Sequence, residues 1–312
     1  MAFVFVFPGQ GSQSVGMLAD FAAEPEVRSS FEEASGVLGY DLWQLIQEGP
    51  AERLNATEYT QPAMLTAGIA LWRLWRSQGG DLPAEVSGHS LGEFTALVCA
   101  QALDLAEAVD LVRHRGRFMQ EAVPEGTGSM VAILGLEDAD VVAACAQAAQ
   151  GEVVEAVNFN APGQVVIAGQ RAAVERAVEV AKARGAKRAV TLPLSVPSHS
   201  SLMLPAARRL DEKLAAVRLL RPQITYISAV DAQEHAEPQD IRALLVRQLY
   251  SPVRWRQVVA RLAGEGVAQI VECGPGRVLS PMIRRIERRA DLAMLAIEDS
   301  ATLAAALAAT RA

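Results

Sequence analysis

Apolar residues follow two patterns that alternate along the chain. Short apolar runs at 3–7, 223–230 and 267–272 predict buried strands. Longer stretches with apolar residues at helical spacing lie between them, such as 26–37 and 62–78, the latter with Pro62 in its first turn. This alternation predicts a parallel sheet covered by helices. Further helices are predicted at 14–22, 91–101, 104–122, 201–217, 238–249, 252–265, 277–289 and 301–312.

The section from 125 to 195 has a different order of elements. Its predicted sequence, β-α-β-β-α-β, is the ferredoxin-like pattern. We therefore expect a small inserted domain at 125–195 and a large domain made of 1–124 and 196–312. The predicted strands of the insert are 129–134, 153–158, 164–169 and 188–192, and its predicted helices are 138–149 and 171–184.

Composition narrows the class of protein. Of the 312 residues, 51% are apolar and 21% are charged, which suits a folded core rather than disorder. A net charge of −7 argues against a general nucleic-acid binder. Cys99, Cys145 and Cys273 lie far apart, which supports neither a zinc site nor a disulfide framework and favours a reducing cytoplasm. The apolar stretch 65–75 is well short of a membrane span.

The sharpest local motif is Gly88-His89-Ser90-Leu91-Gly92, a GxSxG sequence between a predicted strand and a predicted helix. The glycines permit a tight turn that exposes the serine hydroxyl at a helix N-terminus, where backbone N–H groups favour negative charge. An ordinary strand–helix turn is the alternative, but the context favours a nucleophile. The glycine-rich loop 8–13 lacks the lysine of a P-loop, and its N–H groups would serve as half of an oxyanion hole.

A serine nucleophile needs a base, and the chain has four histidines. His199 follows a predicted strand and precedes a predicted helix, where α/β proteins place site residues. It is the preferred base, with a loop-capping role as the alternative. His89 is expected to point away from Ser90, and His114 and His235 are expected at the surface.

Three arginines alternate along one predicted helix. Residues two apart do not share a helix face, so Arg113 and Arg117 would form one stripe and Arg115 would lie on another side. Because arginines are usually solvated, the spacing alone favours three surface charges, with a buried cationic anchor as the alternative.

An ordered set of motifs resembles the stand-alone bacterial malonyl-CoA:acyl-carrier-protein transacylases of type II fatty acid synthesis. The resemblance covers nearly the whole chain and is far more specific than GxSxG alone. It implies an α/β-hydrolase-like domain with a ferredoxin-like insert, which agrees with the predicted order of elements. The motifs are FPGQGSQ at 7–13, TQPA at 60–63, GHSLGE at 88–93, RGRFMQEAVPEGTGSM at 115–130, NFNAPGQVVIAG at 158–169, SVPSHS at 195–200, RQLYSPVRW at 247–255 and ECGPGRVL at 272–279.

The resemblance implies a role for each matching catalytic position. Ser90 would be the acylated nucleophile and His199 its general base. No carboxylate completes the pair, since the backbone carbonyl of Gln248 would orient the histidine instead. Arg115 would bind the malonyl carboxylate, which reverses the surface interpretation of its helix.

The resemblance also implies residues around this centre. The backbone N–H groups of Gln10 and Leu91 would form the oxyanion hole. Asn158 and Asn160 match pocket-lining positions. Ala229 departs from the family, because many relatives carry asparagine there.

The implied reaction is a two-step acyl transfer. Ser90 would take the malonyl group from malonyl-CoA and pass it to the phosphopantetheine thiol of acyl carrier protein, supplying fatty acid synthesis. No metal or other cofactor is expected, since CoA and the carrier's prosthetic arm are substrates, and the chain is expected to act as a monomer. Because acyl carrier proteins are acidic, docking is expected on Arg184, Lys187 and Arg188, with a second patch as the alternative. That patch is Arg284, Arg285, Arg288 and Arg289.

Three rival functions stay open on the sequence alone. A serine hydrolase would use the same nucleophile, but it would keep turning over malonyl-CoA without a carrier. An acyltransferase for another acyl-CoA is less consistent with Arg115, because a buried arginine without a partner is costly. A carrier-binding scaffold with a silent site would not need Ser90, His199 and Arg115 together.

Overall fold

The computed structural model describes residues 2–193, 196–264 and 266–311. The strands among these residues form two sheets. Five parallel strands form the first sheet in the order β7-β2-β1-β8-β9, with the fully buried β1 at its centre. Four antiparallel strands form the second in the order β4-β5-β3-β6. The strands are β1 (Phe3–Phe7), β2 (Glu85–Gly88), β3 (Gly128–Leu134), β4 (Val154–Ala161), β5 (Gln164–Gln170), β6 (Arg188–Thr191), β7 (Thr225–Ile227), β8 (Gln269–Cys273) and β9 (Ala293–Ile297).

Helices cover both sheets. The long helix α4 is buried along most of its length and packs between α1 and α6. The helices are α1 (Pro25–Leu38), α2 (Leu42–Glu48), α3 (Ala51–Asn55), α4 (Thr57–Ser77), α5 (Gly92–Cys99), α6 (Leu105–Glu121), α7 (Asp138–Ala149), α8 (Arg171–Ala183), α9 (Leu204–Leu214), α10 (Pro238–Arg247), α11 (Trp255–Gly264), α12 (Leu279–Ile286) and α13 (Ser300–Thr310).

The predicted fold class is confirmed: a parallel α/β sheet with a ferredoxin-like α+β insert. Helices α7 and α8 pack on one face of the antiparallel sheet. Its other face carries a smaller apolar cluster of Met130, Ala132, Val157, Val166 and Ala168.

The predicted domain boundaries at 124/125 and 195/196 stay predictions. The change from the parallel to the antiparallel sheet falls near both positions. Ser195, the first residue of the SVPSHS motif, lies outside the described residues, as does Leu194.

Several predicted elements differ from those observed. Helix α4 begins at Thr57, so Pro62 lies inside it. The expected helix at 14–22 is only the 3-10 turn Ala19–Phe21, because Leu18 has φ 63 and interrupts it. The pattern missed α2, α3 and β9, which are too short to show a clear period. Among the described helices, none is long and apolar enough to cross a membrane.

Candidate active site

Ser90 lies in a sharp turn between β2 and α5, with φ 54. A Cβ on Gly88 would lie 1.9 Å from the carbonyl carbon of Gly92, and one on Gly92 would lie 2.1 Å from the carbonyl oxygen of Phe7. Side chains at either position would collide with backbone, so the turn requires both glycines. This left-handed conformation is costly for a serine and is typical of a nucleophile held at a strand–helix turn.

His199 lies 109 residues further along the chain and contacts this serine. Its Nε2 is 2.8 Å from Ser90 Oγ, and its Nδ1 is 2.7 Å from the backbone carbonyl oxygen of Gln248. A carbonyl oxygen only accepts, so Nδ1 carries the ring proton and Nε2 is left to accept one. Burial, and next the charge of Arg115, lower the pKa of His199 to about 3. The imidazole is therefore neutral at physiological pH.

Arg115 is buried beside the serine, with only 1% of its surface exposed. Its Nη1 donates to Gln61 Oε1 at 2.8 Å, and its Nη2 donates to Gln248 Oε1 at 2.7 Å and to Ser90 Oγ at 3.2 Å. Burial lowers its pKa to about 10, so the guanidinium is still charged near pH 7. Within the described chain it has no carboxylate partner, and its Nε–H is unpaired.

The spacing argument for three surface arginines was wrong for Arg115. Arg113 and Arg117 form partly exposed ion pairs with Glu58 and Glu121, as expected of a solvated stripe. Arg115 instead lies on the helix face that includes the buried residues Leu111, Val112 and Met119. Apolar residues four positions before and after Arg115 were the signal in the sequence that could have identified it.

Sequence reasoning missed the buried side chain of Gln61, which accepts from Arg115 Nη1, and two further buried polar groups. One is the side chain of Gln248, whose Nε2 donates to Ser90 O at 3.0 Å and to Glu93 Oε1 at 2.6 Å. The other is Glu93, which also accepts from the Tyr226 hydroxyl and from the backbone N–H of Ala229. The sequence offered a signal only for Glu93, which directly follows the GxSxG motif.

The backbone N–H groups of Gln10 and Leu91 lie after adjacent parallel strands. Phe7 of β1 and Gly88 of β2 are paired across the sheet. Gln10 lies three residues after Phe7, and Leu91 lies three residues after Gly88. In the part of the chain that the structure describes, neither N–H donates to a protein acceptor. Free donors after the same ends of two paired strands suit the stabilisation of an oxyanion.

A cleft of about 380 Å³ lies between the loop 8–13 and the face of the antiparallel sheet that carries Met130, Ala132 and Val166. Its walls include Gln10, Asn158 and Asn160. Asn158 Oδ1 is buried without a partner, whereas Asn160 Oδ1 is 2.9 Å from His89 Nε2. His89 thus turns toward Asn160. A wider groove of about 940 Å³ between α7 and the segment 250–257 contains none of the residues that surround Ser90.

The remaining predicted groups are placed as follows. His114 and His235 are half-buried, and each contacts an aspartate four residues earlier. Cys99, Cys145 and Cys273 are free and buried. Among the described residues, no group of three or more His, Cys, Asp or Glu side chains could hold a metal ion.

Comparison with known proteins identifies the family. A model described as an acyl transferase domain matches residues 4–298. The chain belongs to the acyl transferase family. A Salmonella typhimurium protein named malonyl CoA-acyl carrier protein transacylase is 56% identical to this acyltransferase over 306 residues, or 98% of each chain. The predicted resemblance is confirmed.

The solved structures that are similar to this acyltransferase are described as enzymes of the same kind. The acyl carrier protein S-malonyltransferase of Vibrio cholerae has a TM-score of 0.95 and 54% identity, covering 98% of this chain and all (100%) of that one. PlMCAT:AntF, described as a type II PKS acyl-carrier protein in complex with its malonyl-transacylase, has a TM-score of 0.97 and 51% identity, covering 99% and 100%.

Proposed function

We propose that this acyltransferase moves a malonyl group from malonyl-CoA to the phosphopantetheine thiol of acyl carrier protein through a malonyl-serine intermediate, in support of fatty acid synthesis. The names of its relatives support the substrate and the acceptor. The geometry around Ser90 supports the covalent intermediate. The reaction requires no resident metal or cofactor.

The burial of Arg115 beside Ser90 is the observation that supports malonyl as the acyl group. Arg115 is a buried cation whose described hydrogen-bond acceptors are all neutral oxygens, and its Nη2 lies 3.2 Å from the hydroxyl of Ser90. Glu93 acts on the guanidinium only through its charge, which raises the pKa of Arg115 while burial lowers it. A buried charge is costly unless it is paired. A substrate with a carboxylate a few atoms beyond its thioester would supply the missing anion, and malonyl-CoA has this shape.

In the first proposed step, Ser90 Oγ attacks the thioester carbon while His199 Nε2 takes its proton. The N–H groups of Gln10 and Leu91 stabilise the tetrahedral oxyanion. The carbon–sulfur bond then breaks, and CoA leaves with the proton from His199. In the second step the carrier thiol gives its proton to His199 and attacks the malonyl ester, and Ser90 leaves with that proton.

The cleft is proposed to hold the pantetheine arm of both substrates. Asn158 offers an unpaired amide oxygen to an N–H of the arm. Asn160, held by His89, completes this wall.

Arg115→Ala is expected to lower malonyl transfer far more than acetyl transfer. Acetyl-CoA has no distal carboxylate, so it loses only the contacts that Arg115 makes with Ser90 and Gln248, whereas malonyl-CoA also loses its ion pair. We expect kcat/KM for malonyl-CoA to fall by about 10²-fold, the effect of a charge-assisted bidentate pair. Both values are measured as acyl-enzyme formation by mass spectrometry.

Arg115→Lys should restore only part of the malonyl rate, since lysine lacks the planar fork. Arg113→Ala is the matched control, because Arg113 lies on the same helix in a partly exposed ion pair with Glu58. An equal loss with both acyl-CoAs in Arg115→Ala would show that Arg115 is structural and would contradict the malonyl assignment.

Carrier docking is proposed on Lys187 and Arg188. Arg188 is exposed and precedes Val190 and Leu192 on the same face of the antiparallel sheet, and Leu192 lines the cleft. Arg184, the third residue of this proposed patch, pairs with Asp140 at 3.6 Å.

The alternative patch also borders the cleft. Met282 of α12 lines the cleft, and Arg285 on the same helix donates to Pro162 O and Gln164 Oε1. Arg289 is paired with Asp291. Arg284 and Arg288 have no ion-pair partner in the described chain and are the free charges of this patch.

Reversing charge at Lys187 and Arg188 should raise KM for acyl carrier protein and flatten its salt dependence, while KM for malonyl-CoA changes less. Reversal at Arg284 and Arg288 is the matched comparison, since it reverses the same number of charges on and just after α12, the helix that contributes Met282 to the cleft. The proposed placement is wrong if the second pair produces this signature and the first does not.

A further inference from the structure

Glu93 is a buried carboxylate on the first turn of α5, three residues after Ser90, with 1% of its surface exposed. Its Oε1 accepts from Gln248 Nε2 at 2.6 Å. Its Oε2 accepts from the backbone N–H of Ala229 at 3.1 Å and from the Tyr226 hydroxyl. Burial is the largest effect and raises the pKa of Glu93 above its ordinary value, although these hydrogen bonds oppose the rise. Three donors from two segments, β7 with the residues after it and the turn after α10, therefore converge on one carboxylate.

Gln248 connects this carboxylate to the reacting groups. A guanidinium only donates hydrogen bonds, so the amide oxygen of Gln248 must face Arg115 Nη2, at 2.7 Å. The amide nitrogen is then left to face Glu93 and the backbone carbonyl of Ser90. The backbone carbonyl of the same residue accepts from His199 Nδ1 at 2.7 Å. One residue thus holds both the proposed base and the proposed carboxylate-binding cation.

We propose that Glu93 is a positioning residue for acyl selection, because it orients the side-chain amide of Gln248 and thereby the guanidinium of Arg115. This inference rests on the proposed function. A glutamine at position 93 would replace this carboxylate by a neutral amide, so Gln248 Nε2 would be held mainly by the backbone carbonyl of Ser90, at 3.0 Å. The amide oxygen of Gln248 would then be held less firmly beside Arg115 Nη2, which would weaken the shortest hydrogen bond of the guanidinium.

The test compares malonyl-CoA and acetyl-CoA in Glu93→Gln. We expect kcat/KM for malonyl-CoA to fall roughly 10- to 100-fold, the loss that follows when a hydrogen bond to a charged group is removed. The fall should lie mainly in KM, because Arg115 binds the substrate's carboxylate. Acetyl-CoA, which does not use Arg115, should change by less than about threefold.

Two further variants separate positioning from packing. Glu85→Gln removes another buried carboxylate, one on β2 that lies 3.7 Å from Arg261, and should leave the malonyl-to-acetyl ratio unchanged. Glu93→Asp keeps an acceptor-only group one methylene shorter, so it should recover part of the ratio. Thermal unfolding of each variant reports whether the fold is retained. If Glu93→Gln does not fold, the malonyl-to-acetyl ratio of Glu93→Asp tests the inference instead.

Equal losses with both acyl-CoAs in Glu93→Gln would overturn the inference, since packing damage does not distinguish them. A Glu93→Asp ratio as low as that of Arg115→Ala would overturn it as well. If the wild-type protein itself shows no preference for malonyl-CoA, the proposed function fails and this inference fails with it. If the wild type prefers malonyl-CoA and Glu93→Gln keeps that preference, the inference alone fails.

Discussion

Ser90→Ala is expected to abolish acylation completely. The hydroxyl is the proposed covalent acceptor, and it lies 2.8 Å from His199 Nε2 and 3.2 Å from Arg115 Nη2. Wild-type protein mixed with malonyl-CoA alone should take up close to one malonyl group per chain and then stop. The variant should take up none, as measured by intact-protein mass spectrometry.

Ser87→Ala is the matched serine control for this experiment. Ser87 is buried three residues earlier on β2, and its hydroxyl donates to the carbonyl of Ile227 at 2.8 Å. Its loss should reduce stability by about 1 kcal/mol and leave the malonyl adduct intact. An adduct on Ser90→Ala at the wild-type rate would reject the nucleophile. Continuous release of malonate by the wild type would indicate a hydrolase instead.

His199→Ala is expected to slow acylation by roughly 10²- to 10⁴-fold, the usual contribution of a positioned general base. Because burial and then Arg115 lower the pKa of His199 to about 3, the base is neutral in the free enzyme far below pH 7. The wild-type kcat/KM should therefore show no loss from histidine protonation between pH 8 and pH 5. Rapid-quench measurement of acyl-enzyme across this range checks both expectations.

His235→Ala supplies the control, since His235 contacts Asp231 away from Ser90. A loss below about tenfold in His199→Ala would point to another base. A wild-type rate that declines with a midpoint near the ordinary histidine pKa of about 6.5 would contradict the buried, neutral imidazole.

Local patterns in the sequence determined much of the architecture. The fully apolar run 3–7 became the buried central strand β1, and the β-α-β-β-α-β order of 125–195 became the antiparallel sheet. These features are readable because strand and helix periods depend on residues close in the chain. The GxSxG motif is also readable locally, although only Gly88 is required by backbone within the turn, whereas Gly92 is required by the carbonyl of Phe7 on β1.

The family was also predictable from the sequence, because the motifs from 7–13 to 272–279 occur in the same order as in the transacylases they resemble. They led to Ser90 and His199 before any contact between them was known. They did not reveal the side-chain role of Gln248, for which only a backbone carbonyl was expected.

Only the tertiary structure decided which polar groups share the buried site. The spacing of the arginines predicted a surface charge at Arg115, and only the family resemblance reversed this; the contacts with Gln61 and Gln248, which are 54 and 133 residues away along the chain, came from the structure. Glu93 and Gln248 are 155 residues apart and meet at 2.6 Å. Such contacts depend on how α4, α5 and α6 pack against the segment after α10, and no local period encodes that packing. Burial in turn governs the protonation of His199 and the cost of leaving Arg115 unpaired, so the tertiary structure sets the chemistry of residues that the sequence could only name.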